Sequence, residues 1–228
     1  ACRTRERRAR SPDTHLQALV LVRQRRWRAG PTRETDPRHL HDNSYFTAQQ
    51  LLTDSFRLGL EILQSGFRPD FIVGVWRGGT PVGIAVQEIL DYFDVHSDHI
   101  AIRTSSYTGI GQRSKEVRVH GLGYLIRNMN WDSSLLIVDD VFDSGLSLQA
   151  ILDSLKAKTR RNMPEQIRIA TPWYKPGNNQ TSLKPDYYIH ETDQWLVFPH
   201  EMKGLEQSEI LANKPEMEEL FRSKGLIK

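Results

Sequence analysis

The sequence is poor in cysteine and has no long apolar segment. Its single cysteine, Cys2, cannot form an internal disulfide and has no second thiol with which to build a thiolate zinc site. No run approaches the roughly 18 uninterrupted apolar residues that a membrane-spanning helix needs. We therefore expect a soluble protein of the cytoplasm, a reducing compartment, with no membrane partner.

Acidic residues are scarce at the start of the chain. Residues 1–40 contain 11 arginines, no lysine and four acids, so this flank carries a charge of +7 and the remaining 188 residues carry −4. We expect residues 1–42 to be an Arg-rich, mostly disordered extension. It could be an organelle transit peptide, a basic arm for nucleic acid, or an upstream or cloning-derived addition. We favour the last, so nucleic acid is not an expected partner.

From residue 43 onward the apolar pattern alternates between strands and helices. Helices are predicted over 46–64, 80–93 and 146–158. Strands are predicted at 70–76, 100–103, 135–138, 167–171, 187–190 and 195–198. This order favours an α/β fold with a mostly parallel twisted sheet flanked by helices, with ligands bound at the carboxyl ends of its strands.

Three segments carry more specific predictions. The first helix places Leu51, Leu52, Phe56, Leu60 and Leu63 on one stripe, which we expect to be buried, and Gly66 ends it. Residues 105–123 are polar and hold four glycines, as is typical of a mobile segment. Residues 206–228 are predicted to form a C-terminal helical segment containing Pro215, without a chemical role.

The chemistry concentrates directly after the apolar strand at 135–138. Three carboxylates, Asp139, Asp140 and Asp143, and two hydroxyls, Ser144 and Ser147, fall within nine residues. Adjacent carboxylates repel each other and resist burial, so they favour a partner with hydroxyl donors or a divalent cation. The free N–H groups at the start of the next helix favour an anion. Together these groups suit a ribose 5-phosphate, although an Asp-rich turn capped by Ser144 would share the composition.

Residues 135–148 resemble the signature of the type I phosphoribosyltransferases: an apolar strand, two acids, two variable residues, an acid or small residue, and then Thr/Ser-Gly-x-Thr/Ser. The resemblance implies their α/β fold, with a small hood and a flexible loop, over a domain spanning residues 43–205. It also implies the substrate phosphoribosyl pyrophosphate (PRPP) and the cofactor Mg²⁺. Asp139 and Asp140 would contact the ribose and the metal. The 5-phosphate would bind to Ser144, Gly145, Leu146 and Ser147.

Two further positions refine the resemblance. In the 6-oxopurine enzymes of this family an aspartate at the position of Asp143 lies near purine N7, where it can take a proton, so Asp143 is the expected catalytic base. Its alternative role is that of an acid at a helix start. The segment Arg77-Gly78-Gly79 resembles the pyrophosphate loop, in which the peptide before the arginine is often cis.

The base-binding end of the family resembles residues 175–199 of this chain. By this resemblance Lys175 reads the purine O6, Trp195 stacks on the ring and Leu196 lines the pocket. Core packing is the alternative for Trp195. Glu201 is a weaker candidate for a magnesium contact. The flexible loop would include Ser106 and Tyr107, closing over PRPP and excluding water.

The sequence thus predicts an enzyme, a pentosyltransferase of purine salvage. It would transfer the phosphoribosyl group of PRPP to N9 of guanine, xanthine or hypoxanthine with Mg²⁺ and release pyrophosphate. We expect a homo-oligomer, since relatives commonly form dimers or tetramers. The alternative is a nucleotide-sensing regulator or RNA-binding protein on the same fold. A nucleoside triphosphatase is disfavoured because the chain has no G-x-x-x-x-G-K-[ST] loop.

Overall fold

A computed structural model describes residues 44–107 and 116–227. The predicted extension at 1–42 and positions 108–115 of the predicted mobile segment lie outside the described residues. The strands are β1 (Ser44–Tyr45), β2 (Phe71–Trp76), β3 (Asp98–Tyr107), β4 (Glu116–His120), β5 (Ser134–Val138), β6 (Val141–Phe142), β7 (Gln166–Tyr174), β8 (Tyr187–Glu191) and β9 (Leu196–Val197). The α-helices are α1 (Ala48–Gln64), α2 (Gly79–Tyr92), α3 (Gly123–Asn128), α4 (Leu146–Thr159), α5 (Gln207–Asn213) and α6 (Pro215–Ser223).

The predicted mostly parallel sheet is confirmed. Strands β3, β2, β5 and β7 run parallel side by side, β6 and β8 also pair with β7 in parallel, and only β4 joins antiparallel, to β3. A separate two-stranded sheet joins β1 to β9. The carboxyl ends of β2, β5 and β7 therefore meet at one edge of the sheet, where the predicted site residues follow.

The central strands β2 and β5 are buried on both faces of the sheet. Successive residues of β2 point to opposite sides, so that Ile72 joins an apolar cluster with α1 and α2, and Val73 joins one with α3 and α4. Strand β5 is buried along its whole length. Burial on both faces explains why its sequence is a continuous apolar run.

The first helix buries a different face from the predicted one. Leu51, Leu58 and Ile62 are buried together with Ser55 and Gly59. Leu52, predicted to be buried, is 41% exposed, and the other three predicted residues are only half-buried. The small residues decide the face, because a Cβ at Gly59 would lie 3.0 Å from Ile89 Cβ, so α2 packs closely here. The helix start is fixed by a capping box between Thr47 and Gln50, and Gly66 follows its end with φ +81°.

Two further segments differ from the sequence interpretation. Strand β3 continues to Tyr107 and forms an antiparallel ribbon with β4, and α3 follows, so ordered structure occupies much of the predicted mobile segment. The C-terminal segment forms two helices because Pro215 begins α6 rather than lying inside one helix. Within the described parts of the chain, no helix is long and apolar enough to cross a membrane.

Candidate active site

The acidic pair lies in a gap between two strands that share a partner. Val138 at the end of β5 is opposite Ala170, and Val141 at the start of β6 is opposite Trp173, so Asp139 and Asp140 interrupt the pairing with β7. The Asp139 N–H donates to the Ala170 carbonyl at 3.1 Å, and the Asp140 N–H donates to Asp139 Oδ1 at 3.0 Å. These bonds hold both carboxylates at the edge of the sheet.

The glycine loop after β2 lies directly against this pair. A Cβ at Gly78 would overlap the carboxylate of Asp140, and a Cβ at Gly79 would lie 2.7 Å from the Cα of Asp139. The backbone therefore leaves no room for a side chain at Gly79, and a side chain at Gly78 would displace the carboxylate of Asp140. The Trp76–Arg77 peptide is cis, as the family resemblance implied.

Burial dominates the electrostatics of the pair. Burial raises the pKa of Asp139 well above its ordinary value, and the charge of Asp140 raises it further. Burial also raises the pKa of Asp140 to about 6, with a smaller contribution from the charge of Glu201. Two carboxylates with raised pKa values at one place favour a cation or a set of hydroxyl donors as their partner.

A small cavity follows the pair at the start of α4. It has a volume of about 70 Å³ and is lined by Asp139, Val141, Phe142, Asp143, Ser144, Gly145, Ser147 and Leu148. Gly145 turns the chain into the helix with φ +74°, and a Cβ there would lie 2.6 Å from Thr181 Oγ1. The first N–H groups of a helix have no partner within it, so this 14-residue helix presents donors and a positive dipole end to the cavity. Leu146, predicted to bind phosphate, presents its side chain to solvent, and so only its backbone is suited to that role.

Asp143 is held by a neighbour that the sequence analysis did not single out. Asn178 Nδ2 donates to Asp143 Oδ1 at 2.8 Å, from a short 3₁₀ turn at Pro176–Asn178. The same turn follows Lys175, whose backbone N–H donates to the Phe142 carbonyl at 2.9 Å. The candidate base and the candidate purine-reading lysine are thus fixed to each other through short backbone segments.

Lys175 and Trp195 are brought together as the resemblance implied. Lys175 Nζ lies 5.4 Å from the centroid of the Trp195 ring. Trp195 is 58% exposed, which rules out core packing, whereas Leu196 is buried in β9. The arrangement presents an aromatic face and a cation beside it, the groups needed to hold a planar ring with a carbonyl acceptor.

Glu201 lies close enough to the acidic pair to act on it electrostatically, but its side chain is engaged elsewhere. Its Oε2 accepts from the Phe198 N–H at 3.1 Å. The neighbouring His200 has its Nε2 3.8 Å from Asp140 Oδ2, and burial lowers the pKa of His200. His200 could have been noticed as a histidine beside an acid, whereas nothing in the local sequence pointed to Asn178.

The predicted lid is described only in part. Ser106 and Tyr107 pair with Val117 and Glu116 at the far end of the β3–β4 ribbon, and the connection between them lies outside the described residues. Their role in closing over a substrate stays a prediction.

Comparison with known proteins identifies the family of the chain. The model of the phosphoribosyl transferase domain matches residues 42–207. The chain belongs to this family. The match includes the acidic pair, the glycine loop, and the Lys175 and Trp195 region of the phosphoribosyltransferase domain.

The relatives include purine phosphoribosyltransferases. The chain is 24% identical over 163 residues to the hypoxanthine-guanine phosphoribosyltransferase of Bacillus subtilis, covering 69% of this chain and 81% of that protein. It is 25% identical over 154 residues, 65% of this chain, to the bifunctional protein TilS/HprT of Listeria innocua, but spans only 21% of its length. The crystal structure of a purine phosphoribosyltransferase from Pyrococcus horikoshii matches with a TM-score of 0.56 and 28% identity, covering 73% of this chain and 98% of that one.

Proposed function

We propose that the chain is a magnesium-dependent purine phosphoribosyltransferase that transfers the phosphoribosyl group of PRPP to N9 of a 6-oxopurine. The observation that carries the proposal is the contact of the Gly78–Gly79 loop with the Asp139–Asp140 pair, beside a small cavity at a helix start. This combination offers acceptors for sugar hydroxyls and donors for phosphate within a few residues of each other. The purine relatives in Bacillus subtilis and Pyrococcus horikoshii support the choice of base.

PRPP would be bound by three parts of the site. Asp139 and Asp140 would accept hydrogen bonds from the ribose hydroxyls. The N–H groups at the start of α4, with the hydroxyls of Ser144 and Ser147, would bind the 5-phosphate. Arg77 and the backbone of the glycine loop would hold the pyrophosphate.

The chemical step exchanges one bond at the anomeric carbon for another. The C1′–O bond to pyrophosphate breaks, and the bond from purine N9 to C1′ forms, while the proton on N7 passes to the carboxylate of Asp143. Asn178 occupies Oδ1 of that carboxylate and would thereby direct Oδ2 toward the base. Lys175 would donate to O6, and Trp195 would stack on the ring.

The donor set suits magnesium. Among the residues that the structure describes, no cluster of three or more His, Cys, Asp or Glu side chains could enclose a metal. Mg²⁺ typically needs no such cage, since it binds through one or two carboxylates together with substrate phosphates. The candidate ligands are Asp139 and Asp140, two carboxylates whose pKa values are raised by burial and which a cation would stabilise in the charged form. When bound, the ion would neutralise charge on the departing pyrophosphate.

The test of the function is an activity screen. Purified protein is incubated with Mg²⁺, PRPP and each of guanine, hypoxanthine, xanthine, adenine and uracil, and pyrophosphate release is followed. We expect release with one or more of the 6-oxopurines and none with uracil. Absence of release with every base, with PRPP or nucleotide binding retained, would favour the regulator instead.

Asp143 is tested by a variant that keeps its shape. Asp143→Asn retains an acceptor for Asn178 but removes the basic carboxylate, so we expect kcat to fall by roughly 10²- to 10⁴-fold with little change in PRPP affinity. Asp153→Asn serves as the control, because Asp153 is an exposed aspartate in α4, the helix that follows Asp143. Equal losses in kcat and in PRPP affinity would contradict the role of Asp143 as base.

The cytoplasmic location, the homo-oligomeric state and the domain limits at 43 and 205 stay predictions. Light scattering of the purified protein would decide between a monomer and the expected dimer or tetramer.

A further inference from the structure

A buried lysine joins the C-terminal helices to the site. Lys214 lies at the junction of α5 and α6 and is 5% exposed. Its Nζ donates to two backbone carbonyls, those of Phe198 and Pro199, each at 2.9 Å. Burying an ammonium group is costly unless it is well bonded, so these two bonds are a substantial constraint on the residues that accept them.

The carbonyls belong to a tightly bonded turn, residues 198–201. The Phe198 carbonyl also accepts from the Glu201 N–H at 3.0 Å, and Glu201 Oε2 accepts from the Phe198 N–H at 3.1 Å. The ring of His200 stacks on that of Phe198, with centroids 5.8 Å apart and planes at 7°. Lys214 therefore bonds directly to Phe198, the residue that makes each of these contacts within the turn.

The same turn faces the acidic pair through His200. His200 Nε2 lies 3.8 Å from Asp140 Oδ2, and the charge of Glu201 is felt at Asp140. Trp195 is held independently, because its carbonyl accepts from the Ser44 N–H at 2.8 Å and the next residue pairs with β1. A substitution of Lys214 should consequently alter the surroundings of Asp140 more than the position of Trp195.

We propose that Lys214 is a positioning residue that fixes the 198–201 turn against Asp140 and thereby sets the affinity for PRPP. The proposal rests on the proposed function for its substrate, and it gives the segment after residue 205 a role that the sequence analysis denied it. Lys214 lies beyond residue 207, where the family match ends. It thus supports the site from outside the matched domain.

The test compares Lys214→Met with Lys214→Arg and with Lys203→Met. Methionine keeps the apolar stem and removes the ammonium, arginine restores a cationic donor, and Lys203 is an exposed lysine close to the same turn. Two measurements are made on each variant: steady-state kinetics with PRPP and purine varied separately, and hydrogen–deuterium exchange of peptides covering residues 196–203.

We expect Lys214→Met to raise KM for PRPP by about tenfold, as loss of a charge-assisted bond would. Its kcat and its KM for the purine should change by less than about threefold, well under the tenfold change expected in KM for PRPP. Exchange at the 198–201 turn should rise, Lys214→Arg should recover most of both effects, and Lys203→Met should match the wild type.

Unchanged exchange and an unchanged KM for PRPP in Lys214→Met would overturn the proposal. Equal rises in both KM values, with faster exchange throughout the domain, would also overturn it by showing a global effect on stability. If the wild type proves inactive with every base, the proposed function fails separately, and the exchange comparison alone decides whether Lys214 fixes the turn.

Discussion

Gly79→Ala is the sharpest test of the contact between the glycine loop and the acidic pair. The added methyl would lie 2.7 Å from the Cα of Asp139 and would overlap the carbonyl of Val138. Both neighbours are backbone atoms at the end of a strand that is buried along its length, so neither can move aside cheaply. Overpacking of this kind costs roughly 1–3 kcal/mol.

The size of the loss can be measured by thermal unfolding. A loss of about 2 kcal/mol corresponds to a fall in Tm of about 4–8 °C for a protein of this size. Gly123→Ala is the matched control: Gly123 lies in α3, and a Cβ there would meet only the end of the Arg127 side chain, at 3.4 Å. We expect that substitution to be neutral or slightly stabilising.

Gly78→Ala should behave differently from Gly79→Ala. Its methyl would meet the carboxylate of Asp140, which is the movable end of a side chain. We therefore expect a smaller loss of stability and a larger loss of PRPP binding than in Gly79→Ala. A Tm for Gly79→Ala equal to that of the wild type would refute the close approach of the two loops.

Two further predictions concern the carboxylate pair and the aromatic face. Because burial raises the pKa of Asp140 to about 6, the folded state holds a proton that the unfolded state releases, and the free energy of unfolding should fall as pH rises through this window. Urea titrations from about pH 4 to about pH 7 without divalent cations should show that fall in the wild type and a smaller fall in Asp140→Asn, in which the raised pKa of Asp139 still contributes. Equal slopes in the two proteins would contradict the assignment. Trp195→Ala should raise KM for the purine by about tenfold, because the stacking of the base on the indole ring is lost. Trp131→Ala is the control, since Trp131 has the same exposure (58%), and it should leave KM unchanged. Equal rises in KM in the two variants would argue against a specific role of Trp195 in stacking.

The parts of the fold and site that were predictable are those set by local sequence. The run from Leu135 to Ser147 specifies a buried strand, a turn and a helix start within a few residues, so its chemistry can be interpreted without knowing the rest of the chain. The Arg77-Gly78-Gly79 loop was interpretable for the same reason, once the acidic run had suggested its partner.

The parts that were not predictable depend on contacts between distant residues. The buried face of α1 is chosen by Gly59 against Ile89, and hydrophobicity alone favoured the neighbouring stripe. The β3–β4 ribbon is polar because it lies at the edge of the sheet, and polarity there resembled that of a loop. The two acceptors of Lys214 Nζ are backbone carbonyls, which every residue has, so the sequence gives no sign of these bonds.

The gap that separates β5 from β6 makes this region intolerant of changes in length. Val138 and Val141 are both paired with residues of β7, so the distance that the two intervening residues must span is set by β7. One inserted residue would turn Val141 and Phe142 to the wrong faces of the sheet. The position of the two acids along the sheet is therefore fixed by β7, a strand to which neither acid belongs.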